Sequence, residues 1–467
     1  MFNIFAIDRL CIACAVILLL MPGIATAQLI TLDSESISNI TEIAFDKGNN
    51  RYIAGRFTSK MKLGDRELLK RKESKGSVSF IAKISEAGRT LWLKELDLDT
   101  FYVSIAVEGD RLFVLGRVAK RIDVRRRTLS TLLKTFDLHG NPKENTEIAR
   151  MEGYTFSTHV EAFFDQQKHV IVLTEFSDKK PCKINGQQQQ KSKYTALIIS
   201  KYTQKGVLLW QTQVEGDEDG FTKLHQESFT SDQAGNVFIS GSFAAEGLFG
   251  KQTLSTKPLA AADTWGREHE RGQFLVKISA DGDIIWAKNI ATNIVKINNM
   301  IVSESGDLFL VGYHNSNLSR LGGNLLSPSR QIRREPHKET GFLARLNEQG
   351  ELQWYRTVSS NGHTDFKTIA LHHQKVFVAG CFAGVAKRGD RVIRSQHGKT
   401  SSTDIILESY SLSGDLISTN LFGSMGIDRP SAIAVDGKGG IHLVGYADSK
   451  GFMFSEKRSL SALNIAL

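Results

Sequence analysis

Cysteine is scarce in this sequence, and its four copies are poorly placed for a covalent framework. Cys11 and Cys14 lie in an N-terminal segment expected to be removed, which leaves Cys182 and Cys381 in repeats far apart along the chain. A bridge between them would need loops to meet across the molecule, so two unpaired thiols are expected. Proline is sparse too: 7 residues against 41% hydrophobic content exclude a proline-rich, disordered chain and leave ample material for a core. No segment beyond residue 27 is long and apolar enough to span a bilayer as a helix. The sequence also lacks a nucleophile motif, a metal-ligand spacing and a twelve-residue calcium loop. The net charge of +9 makes anionic partners worth considering. Its basic loops lack interleaved aromatics for base stacking, so no nucleic-acid partner is expected.

What the N-terminus does have is an export pattern. Arg9 ends a short polar region, Leu10 to Met21 is apolar, and Pro22-Gly23 precedes the small-x-small site Ala25-Thr26-Ala27. Residues 1–27 therefore read as a secretory signal and 28–467 as a single exported domain, periplasmic or extracellular. Cys14 does not follow the apolar run, so lipidation is not expected.

The mature chain is built from a repeat. Its clearest copy runs from Glu227 to Asn289: Ser228-Phe229-Thr230, a turn Asp232 to Asn236, the strand-like Val237 to Phe243, then a long polar loop. The unit closes on a hairpin, Phe274 to Ile278, turn Ser279 to Gly282, and Ile284-Ile285-Trp286. Relatives of the run ending in Gly241 are Tyr52 to Gly55, Phe113 to Gly116, Ile171 to Thr174, Phe309 to Gly312, Phe377 to Gly380 and His442 to Gly445. Seven copies, spaced by roughly 65 residues, predict stacked sheets, because four short strands cannot bury both faces alone. Alternation of apolar and polar positions marks the segments as strands. Trp92, Trp210, Trp286 and Trp354 each follow a turn glycine by four positions and are read as packing between sheets. The lysine column Lys83, Lys201, Lys277 is explained by repetition.

The expected fold is all-β: a seven-bladed β-propeller with four antiparallel strands per blade. Leu29 to Leu32 is expected as the fourth strand of the last blade and Ser459 to Leu467 as its third, so the N-terminal strand completes the ring and pairs both edges. The unit Asp-x-x-Gly-Asn, an apolar run ending in Gly-x-Phe, and Gly followed by Trp resembles the secreted bacterial seven-bladed β-propeller repeat over essentially all of 28–467. That resemblance implies extracytoplasmic binding or scaffolding and no defined chemistry; the C-terminal sorting module many such proteins carry has no counterpart here. The hairpin is also similar to quinoprotein dehydrogenase repeats, but those build eight shorter blades and their cofactor constellation is missing.

Binding is expected on the face that carries every long loop. Candidate residues there are Lys70, Arg71, Lys72, Lys120, Arg121, Arg125, Arg126, Arg127, Arg330, Arg333, Arg334 and His314, with Lys387, Arg388, Arg391 and Arg394 adding to the basic rim. Fixed to one rim, they would focus a positive field on an acidic polysaccharide or a protein partner. The alternative is a carbohydrate-active enzyme, lyase or glycosidase, with a polar site near the axis, drawing on His159, His225 or His363 beside Asp365. No catalytic residue, metal or cofactor is assigned. Asp217 and Asp219 are a weak calcium candidate, and Asp365 and Asp428 in the equivalent connection suggest turn capping. A monomer is expected.

Overall fold

The computed structural model describes residues 13–21, 24–34, 39–70, 77–98, 103–154, 158–176, 183–189, 196–216, 223–258, 270–292, 295–315, 319–326, 339–388, 391–395, 402–424, 426–447 and 453–454. Among them there is no helix; the chain is all-β, in a β-propeller arrangement. Each copy of the repeat becomes an antiparallel meander. The first comprises Asn39–Phe45, Arg51–Phe57, Val78–Ile84 and Thr90–Leu96. The fifth comprises Val295–Val302, Leu308–His314, Thr340–Leu346 and Leu352–Val358. The sixth begins with His363–His372 and Lys375–Ala383.

Among the described residues, seven sheets have at least four strands and one ribbon has two. Six regular blades are recognised, one fewer than the number of sequence copies. Two sheets depart from a uniform blade. The second has strands as long as the 13 residues of Pro142–Tyr154, and the seventh is assembled from both ends of the chain. In that seventh sheet, Asp428–Val435 and Ile441–Ala447 are followed by Ala13–Met21 and then Ile24–Ser34. Leu29 to Leu32 therefore stands fourth in order. The third place is taken by Ala13–Met21 rather than by Ser459–Leu467, which lie outside the described residues. Neighbouring innermost strands touch in chain order, and Asp428–Val435 lies against Asn39–Phe45. Ser431 Oγ donates to Asn39 Oδ1 at 3.0 Å across that junction.

The tryptophans do what their spacing suggests. Trp210 Nε1 donates to Ala280 O of the next sheet at 2.7 Å, and its ring covers the turn glycine there. Gly282 has φ of +96°, and a Cβ on it would meet Trp210 at 2.8 Å. Trp92, Trp286 and Trp354 sit over Gly140, Gly350 and Gly414 in the same way. Beneath them, Lys83 pairs with Asp46 at 3.1 Å and Lys201 with Asp165 at 2.9 Å. Lys277 instead reaches Glu348 of the next sheet at 3.4 Å.

The long loops do not stand free. The loop of the first sheet folds into a hairpin, Lys60–Leu63 with Arg66–Leu69, which pairs with Ile24–Ser34 of the seventh. Glu246–Phe249 extends the third sheet, and Arg320–Leu321 extends the fourth. Met61, Leu63, Phe249 and Leu321 are buried, so each hairpin seals the outer edge of the preceding sheet.

Four of the innermost strands carry one residue more than their partners. The pairing jumps between Ile40 and Glu42, Ile297 and Asn299, Phe366 and Thr368, and Pro430 and Ala432. Opposite each bulge stands the final glycine of the apolar run. A Cβ on Gly312 would fall 1.8 Å from Lys296 O, so the bulge and the glycine require each other.

Gly312→Ala is therefore expected to destabilise the protein by on the order of 3 kcal/mol, as overpacking against backbone does. Gly109→Ala, with φ of +60° and nothing within 4 Å of a Cβ, should cost only about 1 kcal/mol. Urea midpoints of the two variants provide the check; equal losses would contradict the close-approach account.

Candidate functional site

Among the described residues, part of the basic rim is exposed charge. Lys120, Arg121 and Arg125 are exposed on the hairpin joining Arg111–Arg121 to Arg126–Asp137. Arg126 is exposed and Arg127 half-buried. Asp123 organises that tip, taking Arg126 Nε at 2.6 Å and the Arg125 amide at 2.8 Å. The Arg126 side-chain bond, then the Arg125 amide, pull the Asp123 carboxyl down to about 2. Lys70 is half-buried, its amide bonded to Ser59 O at 2.8 Å. Arg71, Lys72, Arg330, Arg333 and Arg334 lie outside the described residues, as do Cys182, Asp217 and Asp219.

Two candidates turn inward. His314 is buried on its strand. Arg388 forms a bidentate pair with buried Glu408, at 2.6 and 2.8 Å, and donates to Tyr410 Oη at 2.7 Å. It holds the two-stranded ribbon down and is not part of a binding rim. Asp428 caps its connection as expected, accepting from the Ser424 amide at 2.6 Å and its hydroxyl at 2.9 Å. Cys381 is a free, fully buried thiol, and burial pushes it up to about 12, out of reach of ordinary thiolate chemistry. The side chains of His159 and His225 are outside the description.

A polar cluster does form, between the fifth and sixth sheets, where the innermost strands begin. His363 Nδ1 lies 2.7 Å from Glu339 Oε2, the residue just before Thr340–Leu346. Two positions along the strand, Asp365 accepts from Asn298 Nδ2 at 2.6 Å and pairs with Lys367. Asn298 also donates to Phe366 O at 2.7 Å. Asn298 and Lys367 are the bulge residues of their strands, so the extra residue that glycine permits is what turns them toward this site. Tyr313, on the second strand of the fifth sheet, feels the charge of Glu339.

Burial, reinforced by the charges of Glu339 and Asp365, lifts the Tyr313 hydroxyl to about 12, so it keeps its proton at neutral pH. Burial pulls the Lys367 ammonium down, yet the facing Asp365 charge holds it above its usual value. Burial would raise Glu339, but the His363 bond and charge keep it below the usual carboxylate range. Tyr313 and Lys296 also line a cavity of about 100 Å³ with Arg271, Gln273, Thr292 and Ser242.

Glu339, His363 and Asp365 bring their ligating atoms within 4.8 Å of one another. A divalent cation there would face the Lys367 ammonium, which already neutralises Asp365. The donor set therefore fits proton handling better than metal binding. Sequence reading found His363 and Asp365 but missed Glu339, Lys296, Asn298, Tyr313 and Lys367. A signal for two of them was present: a pair of non-alternating residues between apolar ones, as in Ile297-Asn298-Asn299-Met300 and Phe366-Lys367-Thr368-Ile369.

No family model matches the sequence, and no curated protein matches it either. Among solved structures, the chain is similar to a mannose phosphorylase from Leishmania mexicana in complex with phosphate ion. The identity is 10% and the TM-score 0.26, over 62% of this chain and 82% of that one. A likeness at that level carries no argument about activity.

His442, in contrast, is packing. It replaces the aromatic of sister strands, meets the Phe45 ring at 4.6 Å and places Nε2 2.8 Å from Asp436. Burial lowers it from 6.5 to about 4, so it is neutral when folded. A base depressed on folding gives its full stability above its unfolded value and loses it as pH falls through the window from 6.5 to about 4. The loss should amount to roughly 3 kcal/mol, about 1.4 kcal/mol per pH unit. Urea unfolding across that range should show the decline, and His442→Phe should flatten it; an unchanged slope in the variant would refute the assignment.

Proposed function

We propose that this chain is an exported seven-bladed propeller that binds an anionic partner, an acidic polysaccharide, with the cavity beside the polar cluster as its seat. One observation carries the reading. The cavity lining combines two cations, Arg271 and Lys296, with hydrogen-bonding Ser242, Gln273, Thr292 and Tyr313. Lys120, Arg121 and Arg125 project from the same end of the sheets and extend the positive field.

Seven copies, and the packing of Asp428–Val435 against Asn39–Phe45, support a closed ring. In this reading residues 1–27 leave as a leader and Gln28–Ser34 stays with the last sheet. The protein acts as a monomer in the periplasm or outside the cell. Among the described residues no helix is long and apolar enough to cross a membrane. A carbohydrate-active enzyme on the same site is the second reading, favoured by the His363–Glu339 pair.

The chain produced in an exporting bacterial host should begin at Gln28 by mass and bind a heparin-type resin at low salt more tightly than a neutral control. Replacing Arg271 and Lys296 together by alanine should weaken affinity for acidic polysaccharide about tenfold or more, the scale of losing hydrogen bonds to charged groups. Retention equal to the neutral control would overturn the anion-binding reading.

A further inference from the structure

The cavity and the cluster adjoin one another, and their chemistries differ. The cavity, of about 100 Å³, has room for a carboxylate group. A sugar acid seated by its carboxylate against Arg271 and Lys296 would lie beside Glu339, which Lys296 and Tyr313 both approach. Tyr313 and Lys296 link the two parts: both line the cavity, Tyr313 feels the charge of Glu339, and Lys296 acts on it. The wall carries hydroxyl and amide groups from Ser242, Gln273, Thr292 and Tyr313 beside its apolar surface.

His363 has the arrangement of a general base. Its Nδ1 faces the Glu339 carboxylate at 2.7 Å, so the proton belongs on that nitrogen and the lone pair on Nε2. The pair is about a quarter to a third exposed, which lets a substrate reach it. The Glu339 carboxylate fixes the orientation of the His363 imidazole.

We propose that His363, positioned by Glu339, is the base of a β-elimination on hexuronate-containing polysaccharide, with Lys296 and Arg271 holding the uronate carboxylate. This rests on the anion-binding reading above. Nε2 takes the proton from the carbon bearing the carboxylate. The released electron pair forms a carbon–carbon double bond to the neighbouring carbon, whose bond to the glycosidic oxygen breaks. The departing oxygen receives the proton back from the imidazolium, so no water, oxidant or cofactor is consumed. Lysine and arginine against the carboxylate stabilise the charge that builds up as the carbon loses its proton.

The test incubates the full exported chain with polygalacturonate, alginate and hyaluronate and follows the ultraviolet absorbance of the new double bond, with binding of each polymer measured in parallel. Turnover of at least one is expected. His363→Ala should lower kcat by about 100-fold or more while the fold, checked by melting, is kept. Glu339→Gln should lower kcat with KM unchanged, and Glu339→Asp should recover part of it, a split that a merely structural role would not produce. Lys296→Ala should raise KM. Binding without a double bond from any polymer would overturn the elimination and leave the anion-binding reading standing; absence of binding would overturn both. Activity that collapses on chelation and returns with a divalent cation would also overturn the assignment, making Glu339, His363 and Asp365 metal ligands instead.

Discussion

An innermost strand with one residue too many is the constraint on which this structure depends. A regular strand in a radial sheet would send alternate side chains only to its two neighbours above and below. In four of the sheets a bulge breaks that alternation, and the glycine opposite gives the displaced backbone somewhere to go. The freed residues then bind the next sheet: Asn298 reaches Asp365 and Phe366, and Ser431 reaches Asn39. The repeat of glycine in the sequence, the contacts between neighbouring sheets and the polarity of the candidate site thus share one cause.

The outer edge meets a different constraint. An unpaired fourth strand would invite association with other chains, and the long loops answer it by folding back as hairpins on the preceding sheet. Charge on those loops is accordingly divided. Apolar residues such as Met61 and Phe249 face inward and anchor the hairpin, while lysines and arginines stay in water. Arg388 shows the limit of counting charge: it is basic, lies in a long loop, and is committed to Glu408 and Tyr410.

Much of the fold was legible because repetition multiplies a weak signal. One Gly followed by Trp is unremarkable; four at one offset place a ring over a turn glycine in the next sheet, as Trp210 over Gly282 shows. The hairpins could have been read as well. Met61-Lys62-Leu63-Gly64 and Leu248-Phe249-Gly250 end a short alternating run on a turn residue, but each run is only a few residues long and polarity around it dominates. The site was harder. Glu339 comes from a different sheet from His363 and Asp365, and only the geometry of inner strand starts brings them together. No spacing along the chain encodes that meeting.

Lys367 decides what the cluster can be. Two carboxylates and a histidine within reach of one another would attract a divalent cation if nothing else were present. The bulge of the sixth sheet's inner strand places an ammonium against Asp365 instead, and that carboxylate in turn keeps the ammonium charged. Asp365, satisfied by Lys367 on one oxygen and Asn298 on the other, is left as a support, while Glu339 and His363 remain the partners open to solvent. Charge that a metal would have supplied is thus built into the strand itself. The same excess residue that ties the sheets together also assigns the chemistry: one carboxylate to structure, the other to the histidine beside it.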